Sequence, residues 1–479
     1  MMSTSRNLNR RSFLKLAGSA VALGAVARLP APVATAADPL PAPRLLRARG
    51  DHVLPNLIWI VSDAVRGDHI GANGYFRDTT PNIDAWIAQD GVTFKQATSV
   101  EAWTYPATAA MLTGKQPFRL HANWFNQQLA PEVTTIAERL KAAGYATAGF
   151  VSAPFSQARY GLSRGFDVYD DTVAASWRLH QNGHAAQINL LAQNWLNGWA
   201  ADRPLFLFLY YFDTHTWYNP PPPYDTLYDA TYDGEVGPEI YQNGERVVNG
   251  SLELTPRDVE HVIALYDGEL SYFDARLGEM FGYLKGKGLL DNAALAMTSD
   301  HGEMFGEHDL WTHGNCLYEE TLRVPLLLRH TALPKQGLKT AAPAQNIDVG
   351  TTFLDWAGAD PAGVDGVSLR RVAEGGMPAP RDIFSEIQGV TYPLSWAYWL
   401  APRDSLRSVT RFDPARGADY KYILHIANPA ADELYRLNEN SVYEGENIIT
   451  GEPALADELR AALRARYPLN RTMMPAAMR

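Results

Sequence analysis

The chain has 479 residues, 46% of them hydrophobic and 20% charged, which is enough apolar material for a sizeable core and too regular a mix for a disordered chain. Its formal net charge of −11 argues against general nucleic-acid binding, so an anionic substrate needs a local positive centre such as a metal ion. The single cysteine, Cys316, excludes an intrachain disulfide framework.

The first 36 residues read as an export signal. Arg10-Arg11-Ser12-Phe13-Leu14-Lys15 precedes a mild apolar segment, Leu16 to Ala27, and Ala34-Thr35-Ala36 offers a small-residue cleavage site. The pattern resembles a twin-arginine signal, which hands folded proteins to the twin-arginine export machinery. The apolar segment is too short to anchor the chain, so the expectation is a periplasmic or secreted protein with no stable membrane insertion.

Leu57 to Val61 is an all-apolar run that reads as a central parallel strand and ends at Ser62-Asp63. Asp63 at that edge is either a helix N-cap or a metal carboxylate. Thr104 reads as the N-cap of an Ala-rich helix closed by Gly114, with Pro106 in the first turn. A hydroxyl at such a place faces unpaired N–H groups and suits a nucleophile that attacks an anionic ester. An amphipathic helix is expected over Pro131 to Ala143, a strand over Ala146 to Val151 and a helix over His184 to Trp199. Leu205 to Phe212 is a further buried strand, which places His215 just past its end; Trp217, Tyr218 and Pro220 to Pro223 follow as expected walls of a cleft. Asp258 to Lys285 is a long helix.

Ala293 to Met297 repeats the strand-then-acid pattern and runs into Ser299-Asp300-His301-Gly302-Glu303. A hard oxygen ligand beside an imidazole suits a divalent cation, and parallel sheets place their sites at the strands' C-terminal edge. Glu303 and Lys115 have ordinary surface or ion-pair readings, and Cys316 reads as a packing residue. No further carboxylate–histidine cluster for a second metal is legible, which argues against a two-zinc phosphatase. After Leu328, a helix is expected at Asn346 to Gly358 and a Gly/Pro-rich excursion at Asp360 to Pro380. Alternating segments between Ile383 and Ile426 (SWAYWL, LRSVTR, YKYILHI) read as antiparallel sheet, and Pro453 to Tyr467 as a helix with Leu455, Leu459 and Leu463 on one face. The predicted fold is α/β, a doubly wound, mostly parallel sheet over residues 37–375 with a smaller C-terminal α+β subdomain over 376–479.

Taken together and in order, PNLIWIVSDAVRGDHIGANGY, WTYPATAAMLTGK, YYFDTHTWYNPPPPY, YDGELSYFD, TSDHGEMFGEH, HGNCLYEETLRVPLLLR, VDGVSL and the closing SLRSVTR, DYKYIL and DELYRL resemble the sulfatase family of the alkaline phosphatase superfamily. The resemblance implies one divalent cation (Ca, Mn, Mg or Zn) on Asp63, Asp300 and His301, with Thr104 at the nucleophile position and as a further metal ligand. It also implies substrate contacts from His215 and His313. The departures are specific. Thr104 stands where sulfatases carry the Cys or Ser that becomes formylglycine, so no formylglycine is expected. Thr108 replaces the signature Arg, and Ala64 replaces a second metal Asp. A Thr has one hydroxyl and forms an ester intermediate that must be cleaved at its central atom, which is familiar for phosphorus and awkward for sulfur. The chain is therefore expected to be a hydrolase or transferase for a phosphate or phosphonate ester of a small molecule, glycan or lipid head group. A sulfatase proper and an inactive metal-stabilised binding protein are the alternatives.

Overall fold

The computed structural model describes residues 54–120, 128–175, 184–216, 218–237, 252–335, 337–388, 404–413, 417–438 and 443–467. The export signal, Trp217 and the SWAYWL segment lie outside the described residues.

An eight-stranded sheet forms the centre, in the order Leu338–Thr340, Val92–Phe94, Leu326–His330, Ala293–Ser299, Asn56–Ser62, Leu205–Tyr211, Ala146–Val151 and Val168–Asp170. Asn56–Ser62 pairs in parallel with both neighbours, whereas Leu326–His330 runs antiparallel to the strands on either side. The doubly wound α/β expectation is met. Alternation along the opening strand explains the two layers. Leu57, Trp59 and Val61 join one core with Met111, Leu112, Ile136 and Phe353, while Ile58 and Ile60 join the other with Ile188, Phe273 and Leu277. From Leu57 to Val61 neither face of this strand meets water, which is why that run carries no polar position.

Two helix starts are set by capping boxes. Thr135 accepts from the Glu138 N–H and Glu138 reaches back to the Thr135 N–H, so the helix runs Ile136–Ala142. The expected start at Pro131 is corrected by that cap. Thr255 and Asp258 make the same reciprocal pair ahead of Pro256–Gly286.

The C-terminal unit is a four-stranded antiparallel meander, Asp382–Ile387, Leu406–Asp413, Ala418–His425 and Glu433–Leu437. Helix Pro453–Arg466 lays Leu455, Leu459 and Leu463 on Val409, Tyr422 and Leu434, as its apolar stripe anticipates. Among the described residues, no helix is long and apolar enough to cross a membrane.

Candidate active site at the strand edge

The register of the three central strands creates the site. Ser62 lies opposite both Tyr211 and Ser299, so the chain leaves all three strands at one level and delivers Asp63, the Phe212–His215 turn and Asp300 to a single edge. Asp63, Asp300 and His301 converge there, all fully buried. His301 Nε2 lies 3.7 Å from Asp63 Oδ1 and 3.4 Å from Asp300 Oδ2.

Several groups hold this arrangement. The Tyr210 hydroxyl lies 2.6 Å from Asp300 Oδ2 and 3.1 Å from Asp63 Oδ2, its single proton serving whichever of the two accepts. Asp300 Oδ1 accepts from the backbone N–H groups of His301 at 2.9 Å and Ala64 at 3.2 Å. Ser99 and Asn346 donate to the Asp300 carbonyl. His301 Nδ1 faces the Gly302 carbonyl at 2.9 Å; a carbonyl only accepts, so Nδ1 carries the proton and Nε2 presents its lone pair.

Burial, reinforced by the facing Asp300, raises the Asp63 carboxyl well above its ordinary range. Burial likewise brings His301 down to about 4, a neutral imidazole. Among the described residues, Asp63 Oδ1 has no hydrogen-bond partner. Two buried carboxylates, an imidazole lone pair and an orphaned carboxylate oxygen within this span are a donor set that fits a divalent cation.

Thr104 is corrected from the sequence reading. It is the first residue of helix Thr104–Thr113, Trp103 is the N-cap, and no side chain caps this end. The hydroxyl turns instead toward His301 Nε2, 3.2 Å away. The reading of Asp63 as an N-cap fails as well: its side chain serves the cluster, and the next short helix begins at Gly67.

The two outer histidines join from separate loops. The His313 ring stacks on His301 with centroids 4.1 Å apart and meets His215 edge-on at 4.9 Å. His215 gives Nδ1–H to the Thr216 carbonyl at 2.6 Å and stacks on Phe212. Burial lowers His215 to about 3 and His313 to about 4. Thus Asp63, Thr104, His215, Asp300, His301 and His313 share one site.

Glu303, set aside in the sequence as an ordinary residue, belongs to that site. It is fully buried, accepts from Tyr218 OH at 2.8 Å and pairs with His313 Nδ1 at 3.0 Å; burial lifts it to about 7. The only available signal was its place two residues past His301. Tyr218 is thereby corrected from cleft wall to a buried support of Glu303. Lys115 keeps its ordinary reading and donates to the Gly363 carbonyl. Cys316 is buried packing, as expected, with its thiol pushed up to about 12 by burial.

Gly302 is required by close approach. A Cβ there would lie 2.1 Å from the Glu320 carbonyl, which also accepts from the Glu303 N–H. Gly302→Ala must therefore move the loop carrying Asp300 and His301, and an activity loss of roughly 100-fold is expected from a displacement of about 1 Å, measured as kcat/KM of the folded variant.

Arg66 braces the same loops. Buried, it makes a two-point contact to Asp68 at 2.9 and 3.0 Å and reaches Glu307 at 2.7 Å. Burial acts upward on Asp68, but the Arg66 guanidinium wins and holds it at about 2, below the ordinary 3.8. A depressed acid stabilises the fold above its unfolded pKa. That stability, about 2 kcal/mol, is lost as pH falls through about 2. Asp68→Asn should lower stability at neutral pH by this order and flatten the acid limb between about pH 4 and 2, as read by acid denaturation.

Comparison with known proteins agrees with this architecture. The family model described as Sulfatase matches residues 55–359, and that described as N-sulphoglucosamine sulphohydrolase, C-terminal, matches residues 306–468. An N-acetylglucosamine-6-O-sulfatase of Bacteroides thetaiotaomicron is 26% identical over 411 residues, covering 68% of this chain and 72% of the relative. A phosphonate monoester hydrolase from Silicibacter pomeroyi superposes with a TM-score of 0.68 at 22% identity, covering 88% of this chain and 96% of that one. A structure solved in complex with D-glucosamine-2-N,6-O-disulfate superposes with a TM-score of 0.71 at 19% identity, covering 88% and 99%. Both superpositions support the α/β sheet with its antiparallel C-terminal unit.

Proposed function

The chain belongs to the sulfatase family and is an ester hydrolase of that kind, and from that premise we propose that it uses Thr104 Oγ1 as its nucleophile on a phosphate or phosphonate ester. The observation that carries this reading is the Thr104 hydroxyl itself. It is released from any capping role and turned toward His301 Nε2 beside two buried carboxylates. Asp63, Asp300, His301 and Thr104 would together hold one divalent cation. When bound, such an ion lowers the pKa of the hydroxyl and offsets charge on the ester oxygens.

The protein's own groups do the rest. Thr104 Oγ1 gives up its proton to solvent and bonds to the central atom as the bond from that atom to the ester oxygen breaks, and the departing oxygen takes a proton from His313. An arriving anion opposes the burial that keeps His215 and His313 neutral, so both take up protons against its oxygens. Glu303, lifted by burial to about 7, lies 3.0 Å from His313 Nδ1 and accepts from it once the ring is protonated, which leaves Nε2–H of His313 as the donor to the departing oxygen. Water or another acceptor then cleaves the Thr104 ester at its central atom. That second attack is ordinary at phosphorus, whereas sulfatases avoid it at sulfur by using an aldehyde hydrate with two hydroxyls. The substrate class is an anionic ester on a sugar, lipid head group or small molecule. The resemblance of the first 36 residues to a twin-arginine signal supports an activity in the periplasm or exterior.

A sulfatase proper is the second reading, favoured by the similarity to named sulfatases. The deciding experiment is turnover of matched nitrophenyl sulfate, phosphate, phosphodiester and phosphonate esters in Mn, Ca, Mg and Zn. Phosphodiester or phosphonate turnover is the expected result. Sulfate turnover without it would replace the phosphoryl reading, and turnover of none would leave a specialised natural ester or a binding protein.

A further inference from the structure

Behind the loop that carries Asp300 and His301 lies a second convergence that was not legible in the sequence. His308, Glu320 and Glu444 bring one ligand atom each to within 4.8 Å of one another. His308 Nε2 is 3.6 Å from Glu320 Oε1 and 3.7 Å from Glu444 Oε2. These gaps are too long for hydrogen bonds. They match the spacing of the Asp63–Asp300–His301 cluster at 3.4 and 3.7 Å. They also match the roughly 3.4 Å separation of two atoms that each sit about 2.1 Å from a tetrahedral ion.

The two carboxylates lack other partners at the relevant atoms. Glu320 is fully buried, and among the described residues neither of its oxygens, nor Glu444 Oε2, has a hydrogen-bond partner. The nearby cations are committed elsewhere: Lys421 Nζ binds Glu319 at 2.8 Å and Glu444 Oε1 at 2.9 Å, and Arg323 binds Glu319 at 2.7 Å. Glu444 is oriented from behind by Lys421 and by the Glu319 N–H, which leaves Oε2 aimed at His308. The Tyr318 ring stacks on His308 at 3.8 Å and fixes the imidazole plane. The His308 side chain is 28% exposed and leaves a route from solvent.

We propose that His308, Glu320 and Glu444 form a second, structural divalent-cation site of the zinc type. One imidazole and two carboxylates suit zinc, with solvent completing the shell. The ion ties the loop after Asp300 and the short helix Glu319–Leu322 to the chain that follows strand Glu433–Leu437, more than a hundred residues further on.

The test is zinc stoichiometry of the full chain, stripped of metal, reloaded with excess Zn2+ and freed of unbound ion. Asp300→Asn, which disables the first cluster, should retain one equivalent. Asp300→Asn/Glu320→Gln and Asp300→Asn/His308→Ala should lose it. His308→Ala removes a partly exposed side chain and keeps the test informative should Glu320→Gln fail to fold. An Asp300→Asn protein that holds no zinc, or equal retention with and without His308, overturns the proposal and leaves His308 as a protonated bridge between two carboxylates.

Discussion

Thr104→Ala is expected to abolish turnover, with a fall in kcat of about 10^4-fold or more while the fold is kept. The substitution deletes the hydroxyl and the γ-methyl together, and among the described residues the only hydrogen bond of Thr104 Oγ1 is the 3.2 Å contact to His301 Nε2, which no structural element needs. Thr104→Ser restores a hydroxyl at the same atom position and should recover a large part of the activity. The pair separates chemistry from packing. Activity surviving at more than about a tenth in the alanine variant would exclude Thr104 as nucleophile. Equal loss in alanine and serine would point to the shape of the helix start rather than the hydroxyl.

The second large effect concerns stability. Lys421 is fully buried on strand Ala418–His425 and holds Glu319 and Glu444 at 2.8 and 2.9 Å. Those carboxylates keep the Lys421 ammonium charged against its burial, and the ammonium in turn helps pull Glu319 down to about 2. Lys421→Met removes one partner and leaves buried carboxylate charge behind, at a cost of about 3–5 kcal/mol. A drop in the denaturant midpoint of the full chain, compared at a fixed m-value, reads it. A loss below about 1 kcal/mol would mean that Glu444 finds another partner and that the lysine is not what joins this strand to the short helix Glu319–Leu322. Because Glu444 is shared with the proposed cation site, the same variant should also weaken zinc retention there.

The parts of the site legible in the sequence were those attached to strand ends. Asp63 and Asp300 each follow an apolar run with β-branched or bulky residues, so their placement at one edge followed from the rule that parallel strands share a C-terminal rim. The helix caps were partly legible: Gly114 adopts the left-handed conformation expected after its helix. The start of the helix after Pro131 was misjudged because hydrophobic periodicity extends past the point where Thr135 and Glu138 close the backbone. Glu303 was passed over because nothing local tells a buried glutamate from an exposed one. Its role depends on Tyr218 and His313, which lie 85 and 10 residues away.

The sequence by itself determined the layered sheet, the edge on which chemistry would gather and the identity of the six residues brought there, since each rests on local periodicity or on ordered motifs. Only the tertiary structure decided how those side chains are used. It turned Thr104 from a cap to a partner of His301 and recruited Tyr210 to two carboxylates. It also brought Glu444 to within reach of His308 across more than a hundred residues. The physical reason is that a side chain's hydrogen-bonding choice and its desolvation are set by neighbours in space, and a short window of sequence holds almost none of them.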